Sequence, residues 1–129
     1  MNPFPIPITA VFTGILAVML AVISVRVTRL RQRKKISLMD GGDPEMTAAI
    51  RAQGNFTEYV PMALLVMGLL ESAGTKHWII YVFGTLLVAA RVAHAYALYT
   101  RFFPARVFGT SVTWALIAIG GLLIIGLAA

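Results

Sequence analysis

The stretch "IRAQGNFTEYVPMALLVMGLLE", residues 50–71, decides how this chain is read. Its second half is a run that a lipid bilayer accepts. Its first half carries Arg51, Gln53, Asn55 and Glu58. At about 100° per residue, Arg51, Asn55 and Glu58 stand at i, i+4 and i+7 and fall within a stripe roughly 60° wide on one helix face. Ionisable groups at membrane depth cost several kcal/mol unless they find partners or water, so such a stripe cannot face lipid tails.

Composition says which solvent the rest of the chain meets. Of the 129 residues 59% are hydrophobic and 12% charged, with a mean hydropathy of +0.84. A soluble domain this short could not hide so much apolar surface. The apolar residues also come in long blocks, which points to an integral membrane protein of all-α class. The opening "MNPFPIPITAVF" lacks a basic start and a small-residue cleavage site after its apolar run, so it reads as a retained helix and not as a removed signal peptide. With no cysteine, disulfides, thiolate metal sites and cysteine nucleophiles are excluded.

Four blocks are long enough to span, giving one four-helix domain over residues 1–129, with helices at about 6–25, 44–72, 77–99 and 107–127. "TRLRQRKK" ends the first. In "ISLMDGGDPE", Gly41-Gly42 marks a turn, and Asp43-Pro44-Glu45 reads as an N-cap, a first-turn proline and a first-turn acid. The second helix, roughly 43 Å long at 1.5 Å per residue, exceeds the ~30 Å hydrocarbon core, so its first turns protrude. Pro61 interrupts its hydrogen bonding, which neighbouring helices tolerate in a membrane bundle. "SAGTK" and "TRFFPAR" are the remaining connectors.

Six of the eleven Lys and Arg residues lie within residues 26–35, and Arg101 and Arg106 flank the third connector on the same side. The positive-inside rule then predicts both termini on the non-cytoplasmic side of the membrane. The basic run is read as a topology determinant touching anionic lipid, not as a nucleic-acid site. Glu71 and Lys76 border the outer turn and need no role beyond solubility.

The stripe has two readings. One is an interhelical clasp, with Arg51 paired to Glu58 and Asn55 bridging subunits. The other is a ligand site in which arginine takes a carboxylate, glutamate an ammonium group and asparagine an amide. Arg91 and His94 share a face of the third helix, with Tyr96 turned away, and no second metal ligand stands at the right spacing, so no metal site is expected. The surplus of arginine near the basic end favours an anionic ligand, because a guanidinium grips a carboxylate bidentately.

"RAQGNFTEY" followed by "VP", with "RLRQRKKISLMDGGDPEMTAAI" before it and "RVAHAY" after it, resembles the signature of the membrane-associated proteins in eicosanoid and glutathione metabolism, the MAPEG family. The chain is similar to its small bacterial members, and the resemblance covers nearly the whole length. It implies an inner-membrane four-helix bundle assembled as a homotrimer, with glutathione (or another low-molecular-weight thiol) in a cleft between subunits. It also implies a transferase or peroxidase activity on lipophilic electrophiles drawn from the lipid. By the same resemblance Arg51, Asn55 and Glu58 hold the tripeptide, and Gln53 and Tyr59 line the site, with Arg91, His94 and Tyr96 contributing from the third helix. Either Arg101 or Arg106 activates the thiol, with Arg106 preferred because Arg101 also suits a helix cap. Val107 and Thr110 replace a serine and a tyrosine of the prostaglandin synthase branch. Val92 stands where the leukotriene synthase branch has a tyrosine, and Gly54 replaces an arginine. These departures weigh against eicosanoid synthesis. Two other readings are a non-enzymatic member holding a lipophilic ligand between subunits, and a small exporter working through Glu58; the nearby Arg51 argues against the latter.

Overall fold

The computed structural model describes residues 3–129; Met1 and Asn2, the first residues of the expected retained N-terminal segment, lie outside them. The described residues form four α-helices, α1 (Pro7–Lys34), α2 (Pro44–Ser72), α3 (His77–Thr100) and α4 (Phe103–Ala128), and no strand. Short connectors make them run up and down. α2 packs against α1, α3 and α4, and α3 likewise touches the other helices, so α2 and α3 form the centre with α1 and α4 on the flanks. Three helices, α1, α3 and α4, are long and apolar enough to cross a membrane. α2 is as long but is not among them, because Arg51, Asn55, Glu58 and Glu71 dilute its apolar run.

α1 does not stop at Val25, as the apolar block suggested, but continues through the basic run to Lys34. Loss of lipid ends an apolar stretch, not a helix. Termination comes where Lys35 adopts the left-handed conformation (φ 55°), with the Ile36 N–H donating to the Arg31 carbonyl. α4 likewise begins earlier than expected, at Phe103. Pro104 sits in its first turn, where no N–H is needed, so the proline read as linker starts the helix. The N-cap of α2 is as the sequence suggested: the Asp43 carboxylate accepts from Met46 N at 2.8 Å. Lys34 Nζ, 2.7 Å away, and that N–H hold the Asp43 carboxyl below its usual range.

The interior is apolar at the level of the helix stack, with Leu16, Phe56, Val60, Met67, Leu70, Ile80 and Leu87 all buried. What sets the molecule apart from a soluble bundle is its outside. Val11, Ile15, Val18, Val22 and Val25 form an exposed stripe along α1, and Ile119, Leu122, Ile125 and Leu127 do the same on α4. Patches of this extent suit lipid and not water.

Glu71, read from sequence as a solubility residue, is 8% exposed. Its carboxylate accepts from Ile8 N at 2.9 Å and Thr9 N at 2.7 Å. Ile6, the N-cap of α1, has no side chain able to do this. The end of α2 thereby supplies an anion to the N-terminus of α1, where orphan donors and the helix dipole both favour one. Glu71→Ala should destabilise the bundle by about 1–3 kcal/mol, since it strands those buried N–H groups, while Glu71→Gln, which keeps one acceptor, should lose less. Thermal unfolding in detergent measures both; a Glu71→Ala protein as stable as wild type would refute the cap.

Candidate functional site

α2 places Arg51, Asn55 and Glu58 on one face, and Met62, Leu65 and Leu69 continue the same line toward its other end. Apart from the half-buried Asn55, these residues are exposed, so no helix of the same chain covers the face. Arg51 and Glu58 do not pair. The ion pairs among the described residues are instead at the α1–α2 connector, Lys34–Asp43 (2.7 Å), Lys34–Glu45 (3.0 Å) and Arg26–Glu45 (3.8 Å). Two residues seven apart on a helix sit two turns apart, and each side chain here extends outward. Within one chain, then, Arg51 and Glu58 are not partners, and each is left to face a neighbouring helix or a ligand.

Behind this face lies a buried guanidinium. Arg91, 2% exposed, donates from Nη1 to Asn55 Oδ1 at 2.8 Å and from Nη2 to the Gly109 carbonyl at 2.7 Å. One side chain thus ties α3 to α2 and α4. Its Nε has no hydrogen-bond partner, and no carboxylate of the described residues lies within ion-pair distance of it. The same carbonyl accepts from Thr113 Oγ1 at 2.8 Å. Gly109 permits this because a Cβ there would lie 2.5 Å from the Ala90 carbonyl oxygen and 2.7 Å from His94 Cβ, so α3 and α4 meet backbone to backbone.

The other residues singled out from sequence divide into two groups. His94 is buried and lies within electrostatic range of Arg91, Arg106 and Arg51, and Tyr59 lies within range of Arg91. The Tyr59 ring meets Trp114 of α4, centroids 6.3 Å apart. Arg106 stands in the first turn of α4, on the face that carries Gly109 and Thr113. Arg51, Asn55, Tyr59, Arg91, His94 and Arg106 therefore gather at the basic end of the α2–α3–α4 wedge. Gln53, Tyr96 and Arg101 have other surroundings within the chain. Gln53 Nε2 donates to Ser24 Oγ of α1 at 2.9 Å, Tyr96 is 56% exposed, and Arg101 is the left-handed C-cap of α3 (φ 60°).

Gly109, Thr113 and Trp114 were not singled out from sequence. The spacing of Gly109 and Thr113, small residues four apart on an apolar helix, was the available signal for a close helix contact. No group of three or more His, Asp or Glu among the described residues could hold a metal ion. Chemically, the wedge offers guanidinium groups and an amide, and the adjoining α2 face adds the carboxylate of Glu58. That set suits a ligand with carboxylates and an ammonium group.

Comparison with known proteins agrees with the membrane-helical fold. The MAPEG family pattern matches residues 9–126. Inner membrane protein YecN of Escherichia coli K12 is 36% identical over 107 residues, covering 83% of this chain and 82% of the relative. YecN of Escherichia coli O6:H1 matches to the same extent. No solved structure matches.

Proposed function

The chain belongs to the MAPEG family and is an integral membrane helical bundle, and on that premise we propose that it binds glutathione, or a similar small thiol, for reaction with lipophilic electrophiles. The observation that carries the reading is the uncovered α2 face, where Arg51 and Glu58 stand exposed and unpaired beside Asn55. Glutathione carries carboxylates and an ammonium group, and the donor set fits it: Arg51 and the Asn55 amide for acidic ends, Glu58 for the amine.

Lipid tails cannot solvate that face, so a second copy of the chain covers it and the cleft is completed between subunits; a homotrimer in the inner membrane, with both termini on the non-cytoplasmic side, is the assembly we propose. The bound thiol supplies a sulfur nucleophile, active as the thiolate. Arg106 is the group proposed to hold that anion: it shares the wedge with His94 and Arg91, whereas Arg101 caps α3. Guanidinium donors beside a low-dielectric wall favour the thiolate and release its proton to water. The apolar stripe of Met62, Leu65 and Leu69 leads from lipid to the polar end and offers an electrophile its approach.

Calorimetric titration of the detergent-purified protein with glutathione tests the reading. Wild type should saturate, while Arg51→Ala and Glu58→Ala, which remove no ion pair formed within the chain among the described residues, should bind at least about tenfold more weakly. Absence of heat at millimolar glutathione would leave the face as an assembly surface alone.

A further inference from the structure

We infer that Arg91 is a positioning residue that turns Asn55 into an outward-facing hydrogen-bond donor, so that this position recognises a carboxylate or carbonyl oxygen and not an N–H group. The inference rests on the ligand reading above and specifies its polarity.

A guanidinium has five donors and no acceptor, so the Asn55 atom 2.8 Å from Arg91 Nη1 has to be the oxygen. That removes the usual ambiguity of an amide side chain, which would otherwise offer a donor or an acceptor by a half-turn. Arg91 cannot yield to a flipped amide. Its second arm is held by the Gly109 carbonyl at 2.7 Å, its side chain is 2% exposed, and Gly109 keeps α4 pressed on α3. With Oδ1 engaged, Nδ2 is the part of Asn55 left to act. It makes no hydrogen bond among the described residues, on a half-buried residue of an otherwise exposed face.

Charge reinforces the direction. Arg91 has no counterion among the described residues, and its field polarises the amide it holds, strengthening Nδ2 as a donor. Arg51 lies one turn away on the basic side, and Glu58 about one turn away on the other. The face therefore has a sense: ligand oxygen belongs over Arg51 and Asn55, and ligand N–H belongs toward Glu58. An uncharged apolar ligand would gain nothing from either half.

The test is Asn55→Asp, which keeps the shape and the oxygen facing Arg91 but changes the outward atom from donor to acceptor. The new carboxylate gives Arg91 a counterion, so the variant should melt at or above the wild-type temperature. Its glutathione affinity should fall at least about thirtyfold, through a lost hydrogen bond to a charged group and added repulsion. Arg91→Met, which frees the amide, should weaken binding about tenfold, and Arg91→Lys should recover part of that loss. Calorimetry and thermal unfolding on the same preparations read both quantities. A stable Asn55→Asp protein that binds glutathione within about threefold of wild type overturns the inference while leaving the ligand reading intact. So does a folded Arg91→Met protein with wild-type affinity. An Asn55→Asp protein that melts far below wild type, or does not fold, overturns the pairing of Oδ1 with Arg91. Wild type that binds no glutathione overturns the ligand reading itself, and this inference with it.

Discussion

Replacing Gly109 with leucine should unfold the α3–α4 pair under conditions where the wild-type protein is stable. The first added carbon alone would sit 2.5 Å from the Ala90 carbonyl oxygen and 2.7 Å from His94 Cβ. The oxygen belongs to helix backbone and the Cβ is fixed to it, so neither can rotate aside as a side-chain tip would. α4 must back away from α3. That movement takes the Gly109 carbonyl out of reach of Arg91 and leaves a buried guanidinium with a single partner. Overpacking typically costs about 1–3 kcal/mol, and a stranded buried charge adds about as much again, so a loss on the order of 3 kcal/mol or more is expected. Gly121→Leu is the control, because no atom lies within 4 Å of a Cβ there. Thermal unfolding should separate the variants clearly; equal melting would show that α3 and α4 do not meet through Gly109.

The second large effect concerns Arg106. Should it hold the thiolate, Arg106→Ala should shift the titration of bound glutathione, followed by thiolate absorbance, toward higher pH. The sign follows from the charge: a guanidinium beside the sulfur favours its anionic form, so removing it raises the thiol pKa and empties the thiolate state at neutrality. Conjugation rates with a lipophilic electrophile should drop by about 100-fold or more, the usual cost of losing one donor aimed at developing charge. Arg101→Ala should leave both readouts near wild type, because Arg101 closes α3 as its left-handed cap. The opposite outcome, with Arg101 carrying the effect, would move thiol activation to the connector.

Four helices were legible because lipid and water sort residues in long blocks, and because caps such as Asp43-Pro44-Glu45 act over a single turn. The arginine surplus at one end was legible too, since charge is a property of the residue and not of its neighbours. Helix ends were less so. Lys34 and Phe103 lie beyond the apolar limits of their blocks, because a helix continues wherever its backbone bonds can form and stops where a left-handed residue or a proline dictates.

Pairing was another matter. In the sequence Arg51 and Glu58 look like partners, the family resemblance sets Gln53 in the ligand site, and Glu71 looks idle. In the fold Arg51 and Glu58 stand apart, Gln53 turns to Ser24, and Glu71 caps α1 across 62 and 63 positions of sequence. Arg91 finds Asn55 and Gly109 at separations of 36 and 18. Periodicity assigns a residue to a face of its own helix. It does not say how that helix is rotated against another, and a hydrogen bond works only within about 3 Å and a narrow angle. The chain by itself determined a four-helix membrane protein with its arginines at one end. Only the packing of α2, α3 and α4, set by the close approach at Gly109, decided that Arg91 faces inward, holds an amide oxygen, and leaves the amide nitrogen to the outside.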